Sequence, residues 1–298
     1  MNTSILARLS AVIRGQEAAL AAISSAAMRA ARKLTLRAPR FLLLGPTGVG
    51  KTETALTLSK AVFGRDPWRL DMSEFQRPES LDVLLGNRNR DRGRLGDICR
   101  HADEGLLLLD EIEKAHPKIL DLLLQILEPG HVSLALGERC DLSRFFIVCT
   151  SNIATGDLLD LRHSTQATVQ RHVRREAEQV LRPEIVNRFD EVLLFGPLGY
   201  DTQIDIAHLH LESFVASLGE KGYRISVGPG VVECCMRVGF DRRYGARPLR
   251  RAIERLVGEA VVKSLTEGGR GHGVLSVDPT GKALVLEPAT RGTEGRQP

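Results

Sequence analysis

Downstream of Pro39 the apolar residues fall into short, dense runs separated by longer stretches in which apolar and polar residues mix at helical spacing. Four runs stand out, at residues 41–44, 106–109, 145–150 and 192–195. Continuous apolar runs of strand length, alternating with helical stretches, are the pattern of a parallel sheet whose strands are buried on both faces by crossover helices. Upstream, the Ala-rich stretch 16–33 has high helix propensity, and its charges at Glu17, Arg29, Arg32 and Lys33 make it a surface-packed helix and exclude a membrane span.

Pro197 and Gly199 then interrupt the chain, and the pattern changes. A helix is expected over 201–218, an extended run over 224–227 and a second helix over 229–238. A third helix over 248–265 and two strand-like pieces at 274–277 and 283–286 complete a small α/β unit. The predicted fold class is therefore α/β: a large parallel-sheet domain with flanking helices over residues 1–196, and a small α/β domain over 197–288. The final stretch, 289–298, rich in Gly, Thr, Arg and Pro, reads as a disordered tail.

Composition changes this picture little. The chain has 298 residues, 43% of them hydrophobic and 26% charged, which places it in the ordinary globular class; with only 4% aromatics the core must be aliphatic. A formal charge of +4 is too small and too scattered to argue for nucleic acid. The five cysteines, Cys99, Cys140, Cys149, Cys234 and Cys235, show no C-x-x-C spacing, which argues against disulfide or metal roles and reads Cys234-Cys235 as part of a buried helical face. No secretory h-region or membrane-length apolar run is present, which points to the cytoplasm and away from a membrane.

Candidate chemistry begins at Gly45-Pro46-Thr47-Gly48-Val49-Gly50-Lys51-Thr52, which fits G-x-x-x-x-G-K-[ST] directly after an apolar strand and before a helical stretch. Glycine lets the backbone curl so that successive N–H groups point inward, and the following helix N-terminus adds a favourable field for phosphate oxygens. Lys51 then supplies a point charge for the β- and γ-phosphates of ATP, and Thr52 a hydroxyl for magnesium. A second acidic element is needed at the end of another buried strand, and Leu106-Leu107-Leu108-Leu109-Asp110-Glu111 fits it. Asp110 is expected to hold the metal with Thr52, and Glu111 to polarise the attacking water.

Several strings are specific enough to name a family. The phosphate loop, Asp71-Met72-Ser73-Glu74-Phe75 and Asp110-Glu111-Ile112-Glu113-Lys114-Ala115-His116-Pro117 resemble the second ATPase ring of the AAA+ Clp chaperones of ClpB and ClpA type. So do Gly15-Gln16 after Ile13, Thr150-Ser151-Asn152, the stretch 181–190 and Tyr244-Gly245-Ala246-Arg247-Pro248-Leu249, so that the resemblance runs over residues 12–265. It implies an ATPase with a small lid domain and nucleotide bound between the two, with Ile13 enclosing adenine and Asn152 orienting the attacking water. It further implies Arg188 as a finger reaching into a neighbouring subunit's site, and Arg247 as the sensor of the small domain. A finger acting in trans implies a ring, here a homo-hexamer remodelling protein substrates.

The chain also departs from that family. Where Clp unfoldases carry an aromatic in a loop facing the ring's channel, this sequence reads Gly86-Asn87-Arg88-Asn89-Arg90-Asp91-Arg92-Gly93-Arg94-Leu95. A channel lined by Arg88, Arg90 and Arg92 would suit an acidic segment or nucleic acid, but a solvated charged loop is preferred because no aromatics are interleaved to stack bases. A nucleic-acid-handling ATPase and a nucleotide-dependent scaffold are therefore kept as alternatives. The resemblance also leads to expecting no separate substrate-recruiting domain before Ile13, no second phosphate loop, no long coiled-coil insertion and no peptidase partner. The last rests on the missing apolar-Gly-apolar tripeptide in 153–180.

Overall fold

A computed structural model of the chain describes residues 4–87, 91–153, 166–239 and 246–288. The Arg88 and Arg90 positions, Tyr244 and Gly245 and the expected tail lie outside the described residues, as do residues 154–165 of the 153–180 stretch. The chain divides into two compact units, one ending at Pro197 and the other beginning at Leu198.

The first unit opens with helix α1 (Ile5–Val12), whose N-terminus is capped by the Ser4 hydroxyl, and α2 (Glu17–Ala31). Strand β1 (Arg40–Leu44) leads into α3 (Lys51–Phe63), followed by β2 (Trp68–Asp71), α4 (Ser80–Leu85) and α5 (Gly93–His101). Then come β3 (Gly105–Asp110), α6 (Pro117–Leu127), a hairpin of β4 (His131–Ser133) and β5 (Arg139–Asp141), and β6 (Phe145–Ser151). Helices α7 (Gln166–Leu181) and α8 (Pro183–Val186) precede β7 (Glu191–Leu194).

Five strands make one parallel sheet in the order β2-β3-β6-β1-β7. Its centre is the three strands β3, β6 and β1, every residue of which is buried, as dense apolar runs with helices on both faces require. The order places β6 between the first strand and the third. In the register Asp71 pairs with Asp110, Leu109 with Cys149 and Leu44 with Ser151, so the carboxyl ends of four strands lie along one edge. Ligands of open α/β sheets bind at that edge, where the strand order reverses.

Each of the four apolar runs is a strand of this sheet, but the fifth strand, β2, is not evident in the sequence. It is an edge strand with one buried residue, Leu70, and so carries no apolar run. The cysteine reading also needs correction: Cys99 on α5 and Cys140 on β5 are joined in a disulfide across 41 residues of sequence. Tertiary packing of α5 against the hairpin brings the two together, and no local spacing rule reports such a pair. Cys149, by contrast, is a buried free thiol on β6, and burial raises its pKa far above the ordinary value.

The second unit consists of α9 (Tyr200–Glu220), β8 (Ile225–Val227), α10 (Val231–Gly239), α11 (Arg247–Thr266), β9 (Gly273–Val277) and β10 (Leu284–Glu287). Its strands form a sheet in the order β10-β9-β8, antiparallel between β10 and β9 and parallel between β9 and β8. Cys234 and Cys235 lie fully buried on α10 in a core with Leu211, Ile253, Leu256 and Leu275. This is the small α/β domain expected from the sequence. Among the described residues, no helix is long and apolar enough to cross a membrane.

Candidate active site

The loop between β1 and α3 owes its shape to backbone conformations that side chains rarely adopt. Gly45, Gly48 and Gly50 have φ of 142°, 79° and 103°. A Cβ on Gly45 would run into the carbonyl oxygen of Phe195, just past β7, so this position is closed to other residues on two grounds. Gly50 stands immediately before α3, and the helix N-terminus therefore faces the curled loop.

Two further groups brace the loop. Gln16, 5% exposed, donates through Nε2 to the carbonyls of Gly196 at 3.0 Å and Val49 at 3.4 Å, and its Oε1 accepts from Gly196 N at 3.1 Å. Ile13 is buried with its side chain against Gly50, where a Cβ would come within 3.4 Å of Ile13 Cγ2. The residue assigned to adenine thus lies beside the phosphate loop.

Lys51 is the first residue of α3 and is buried. Its Nζ donates to the carbonyls of Gly45 and Pro46, each at 2.6 Å, and to Asn152 Oδ1 at 3.0 Å. Thr47 Oγ1 donates to the same Asn152 oxygen at 3.3 Å. The next residue, Thr52, hydrogen-bonds the Asp110 carboxylate at 3.0 Å to Oδ1 and 3.3 Å to Oδ2. Thr52 and Asp110, paired on sequence grounds as metal ligands, are in direct contact.

Asp110 is 4% exposed and is gripped from three sides. Besides Thr52, the Thr150 hydroxyl on β6 donates to Oδ1, and Arg69 on β2 reaches Oδ2 at 2.6 Å. Burying a carboxylate requires such partners. Arg69 and Thr150 did not emerge as site residues from the sequence: Arg69 occupies an edge strand with no apolar signal, and Thr150 appeared only inside a longer string. On the same edge Asp71, despite desolvation, is held below the ordinary carboxylate range by hydrogen bonds from Ser73 and by the nearby Arg69.

Glu111 follows Asp110 in a left-handed conformation, φ 56°, that turns the chain sharply off the strand end. Its N–H donates to Thr150 Oγ1 at 3.0 Å, while its carboxylate pairs with Lys114 three residues on. The hydrogen bond that Lys114 donates to Glu111 outweighs desolvation and raises the Lys114 pKa. Asn152, one residue beyond β6, contacts the loop through its oxygen and Glu113 Oε1 through both Nδ2 and its backbone N, each at 3.2 Å. Lys51, Thr52, Asp110, Glu111 and Asn152 thus converge at the carboxyl ends of β1, β3 and β6, an arrangement able to hold a triphosphate, a divalent cation and a water.

Of the two remaining sequence candidates, Arg188 belongs to the first unit and Arg247 to the second. Arg188 lies just after α8 with its Nη1 on the carbonyls of Leu124, at 2.5 Å, and Glu128, at 3.3 Å, where the C-terminal end of α6 attracts a cation. Arg247 is the exposed first residue of α11 in the second unit. In the arginine loop, Arg92 pairs with Glu138 of the hairpin at 3.1 Å. The loop is pinched at its base, since a Cβ on Gly93 would meet the Gly86 backbone.

Both units of the chain match known families. Residues 37–192 match the family model described as the AAA domain (Cdc48 subfamily), and residues 198–274 match the C-terminal, D2-small domain of ClpB protein. The ATP-dependent Clp protease ATP-binding subunit ClpC of Staphylococcus saprophyticus is 33% identical over 299 residues, covering 93% of this chain and 36% of that protein. ClpC of Staphylococcus epidermidis is 34% identical over 295 residues, covering 92% and 36%. The chaperone protein ClpB 2 of Thermosynechococcus vestitus is 33% identical over 296 residues, covering 94% and 33%. The chain therefore spans about a third of the length of these relatives.

Proposed function

Because this chain belongs to the AAA family, in the Clp-type arrangement of an AAA domain followed by a D2-small domain, we propose that it hydrolyses ATP at the β1–α3 loop and uses the cycle, as a homo-hexameric ring, to remodel protein substrates. The observation that carries the catalytic part is the convergence of Lys51, the Thr52–Asp110 pair, Glu111 and Asn152 at adjacent strand ends. The family membership supports nucleotide binding. Ring formation and protein substrates rest on the likeness to ClpC and ClpB.

In this reading the loop N–H groups and the α3 N-terminus bind the phosphates, and Lys51 exchanges its loop carbonyls for β- and γ-phosphate oxygens. Magnesium fits the donors present, since Thr52 and Asp110 offer a hydroxyl and one carboxylate, and magnesium typically takes one or two such protein oxygens alongside phosphates. When bound it would neutralise charge on the phosphate oxygens. Glu111, released from Lys114, accepts a proton from the attacking water. Asn152 orients that water, Arg188 stabilises charge on a neighbouring subunit's transferred phosphoryl group, and Arg247 serves as the second sensor.

Two variants test the catalytic core. Lys51→Ala is expected to lose both nucleotide binding and turnover, and Glu111→Gln to bind ATP while hydrolysing it at least about a hundredfold more slowly. Binding is read with a fluorescent ATP analogue and turnover by phosphate release. The assignment is falsified if Glu111→Gln turns over ATP at the unaltered rate.

A further inference from the structure

An asparagine side chain has two unlike ends, and the end that faces a substrate decides what it can do there: Oδ1 only accepts hydrogen bonds and Nδ2 only donates them. Asn152 is held by one neighbour that removes the ambiguity. Glu113, in the short turn after β3, accepts at a single oxygen from both the backbone N and the Nδ2 of Asn152, each at 3.2 Å. An ionised carboxylate only accepts, so the reversed amide would set two acceptors against each other. The amide oxygen is left facing the phosphate loop, 3.0 Å from Lys51 Nζ and 3.3 Å from Thr47 Oγ1.

The second oxygen of Glu113 adds a separate argument. Oε2 is buried and has no hydrogen-bond partner among the described residues. Burying a carboxylate oxygen without a donor is costly, and a side chain serving packing alone would not carry that cost.

We propose that Glu113 is a positioning residue that locks Asn152 with its amide oxygen toward the reacting phosphate. Asn152 therefore works as an acceptor of a water proton, not as a donor to the γ-phosphate. The proposal rests on the reading above that Asn152 stands beside the attacking water. A water has two O–H bonds; Glu111 and Asn152 Oδ1 together accept both, which leaves a lone pair directed at phosphorus. Neither group can fill both positions alone.

The test is steady-state ATPase kinetics on the full chain. Glu113→Ala is expected to lower kcat about ten- to a hundredfold while KM for ATP moves less than about threefold, the signature of an interaction lost from the transition state. Glu113→Gln, whose amide oxygen still accepts from both N–H groups, is expected to recover most of the rate. The double variant with Asn152→Ala should be no slower than Asn152→Ala alone, because the first residue acts through the second.

A swapped pair tests the same point without creating a cavity. Asn152→Asp alone brings two carboxylates together and should be inactive, and adding Glu113→Gln should restore at least about tenfold by returning one amide and one carboxylate. Additive loss in the double alanine variant, a change confined to KM, or no recovery in the swapped pair overturns the proposal. If Asn152→Ala itself hydrolyses ATP normally, the placement of Asn152 beside the water fails first and the proposal with it. If Asn152→Ala is slow and Glu113→Ala is not, the proposal fails alone.

Discussion

Thr150 carries more of the site than its chemistry suggests. Its hydroxyl donates to Asp110 Oδ1 and accepts from Glu111 N at 3.0 Å, so one atom fixes both acidic residues relative to β6. Thr150→Val keeps the shape and removes the hydroxyl, leaving a buried carboxylate short of one donor and a partly buried N–H without its acceptor. The expected cost is about 1–3 kcal/mol of stability, together with a fall in kcat larger than the change in nucleotide affinity. Thermal melts and ATPase kinetics check both parts, and an unchanged kcat in a destabilised protein would confine Thr150 to a structural role. At this scale type and spacing were enough to single out in the sequence the residues proposed for phosphate chemistry, Lys51, Thr52, Asp110 and Glu111, which the structure brings together. The sequence did not show the groups that hold them, because Arg69, Glu113 and Gln16 act through contacts across 41, 39 and 180 residues of chain. No local spacing encodes such contacts.

Among the elements, legibility followed burial. β1, β3 and β6 are apolar at nearly every position because helices cover both faces of the sheet, and their runs are plain in the sequence. β2 lies at the sheet edge, and β4 and β5 are three residues each, too short to display a period. The Cys99–Cys140 bond joins α5 to that unseen hairpin, so missing the hairpin meant missing the bond. The helices of the second unit were read within a few residues, and one of them carries a pH-sensitive group. His210 on α9 has its pKa lowered by burial first and by Arg250 of α11 second, with Glu254 opposing. Its folded value thus lies below the unfolded value near 6.5, and the unfolded chain takes up a proton that the folded chain refuses. Stability from the neutral ring is complete above the unfolded value and is lost as pH falls through the folded one. Melting temperature should therefore drop between about pH 7.5 and about pH 5.5, and His210→Gln should flatten that drop. Equal slopes in the two proteins would remove His210 as the source.

For the whole molecule, the sharpest question is whether a single chain contains a complete site. Lys51, Thr52, Asp110, Glu111 and Asn152 all belong to one unit and converge there, whereas Arg188 is held at the end of α6, by the carbonyls of Leu124 and Glu128 and by the Glu128 carboxylate at 3.9 Å. A guanidinium fixed at a helix C-terminus is preorganised to meet an anion brought by another molecule. If Arg188 completes a neighbour's site, two inactive proteins should repair each other. Lys51→Ala subunits have a dead loop and an intact finger, and Arg188→Ala subunits have an intact loop and no finger. In a mixed ring some Arg188→Ala sites face a finger donated by Lys51→Ala, and those sites turn over. Random mixing in equal amounts gives one productive junction in about four, so hydrolysis should return to roughly a quarter of the unaltered rate if sites act independently. It should vanish again on dilution below the assembly concentration. A finger acting within its own chain predicts no recovery at any ratio, because each protein then lacks one essential group in every copy.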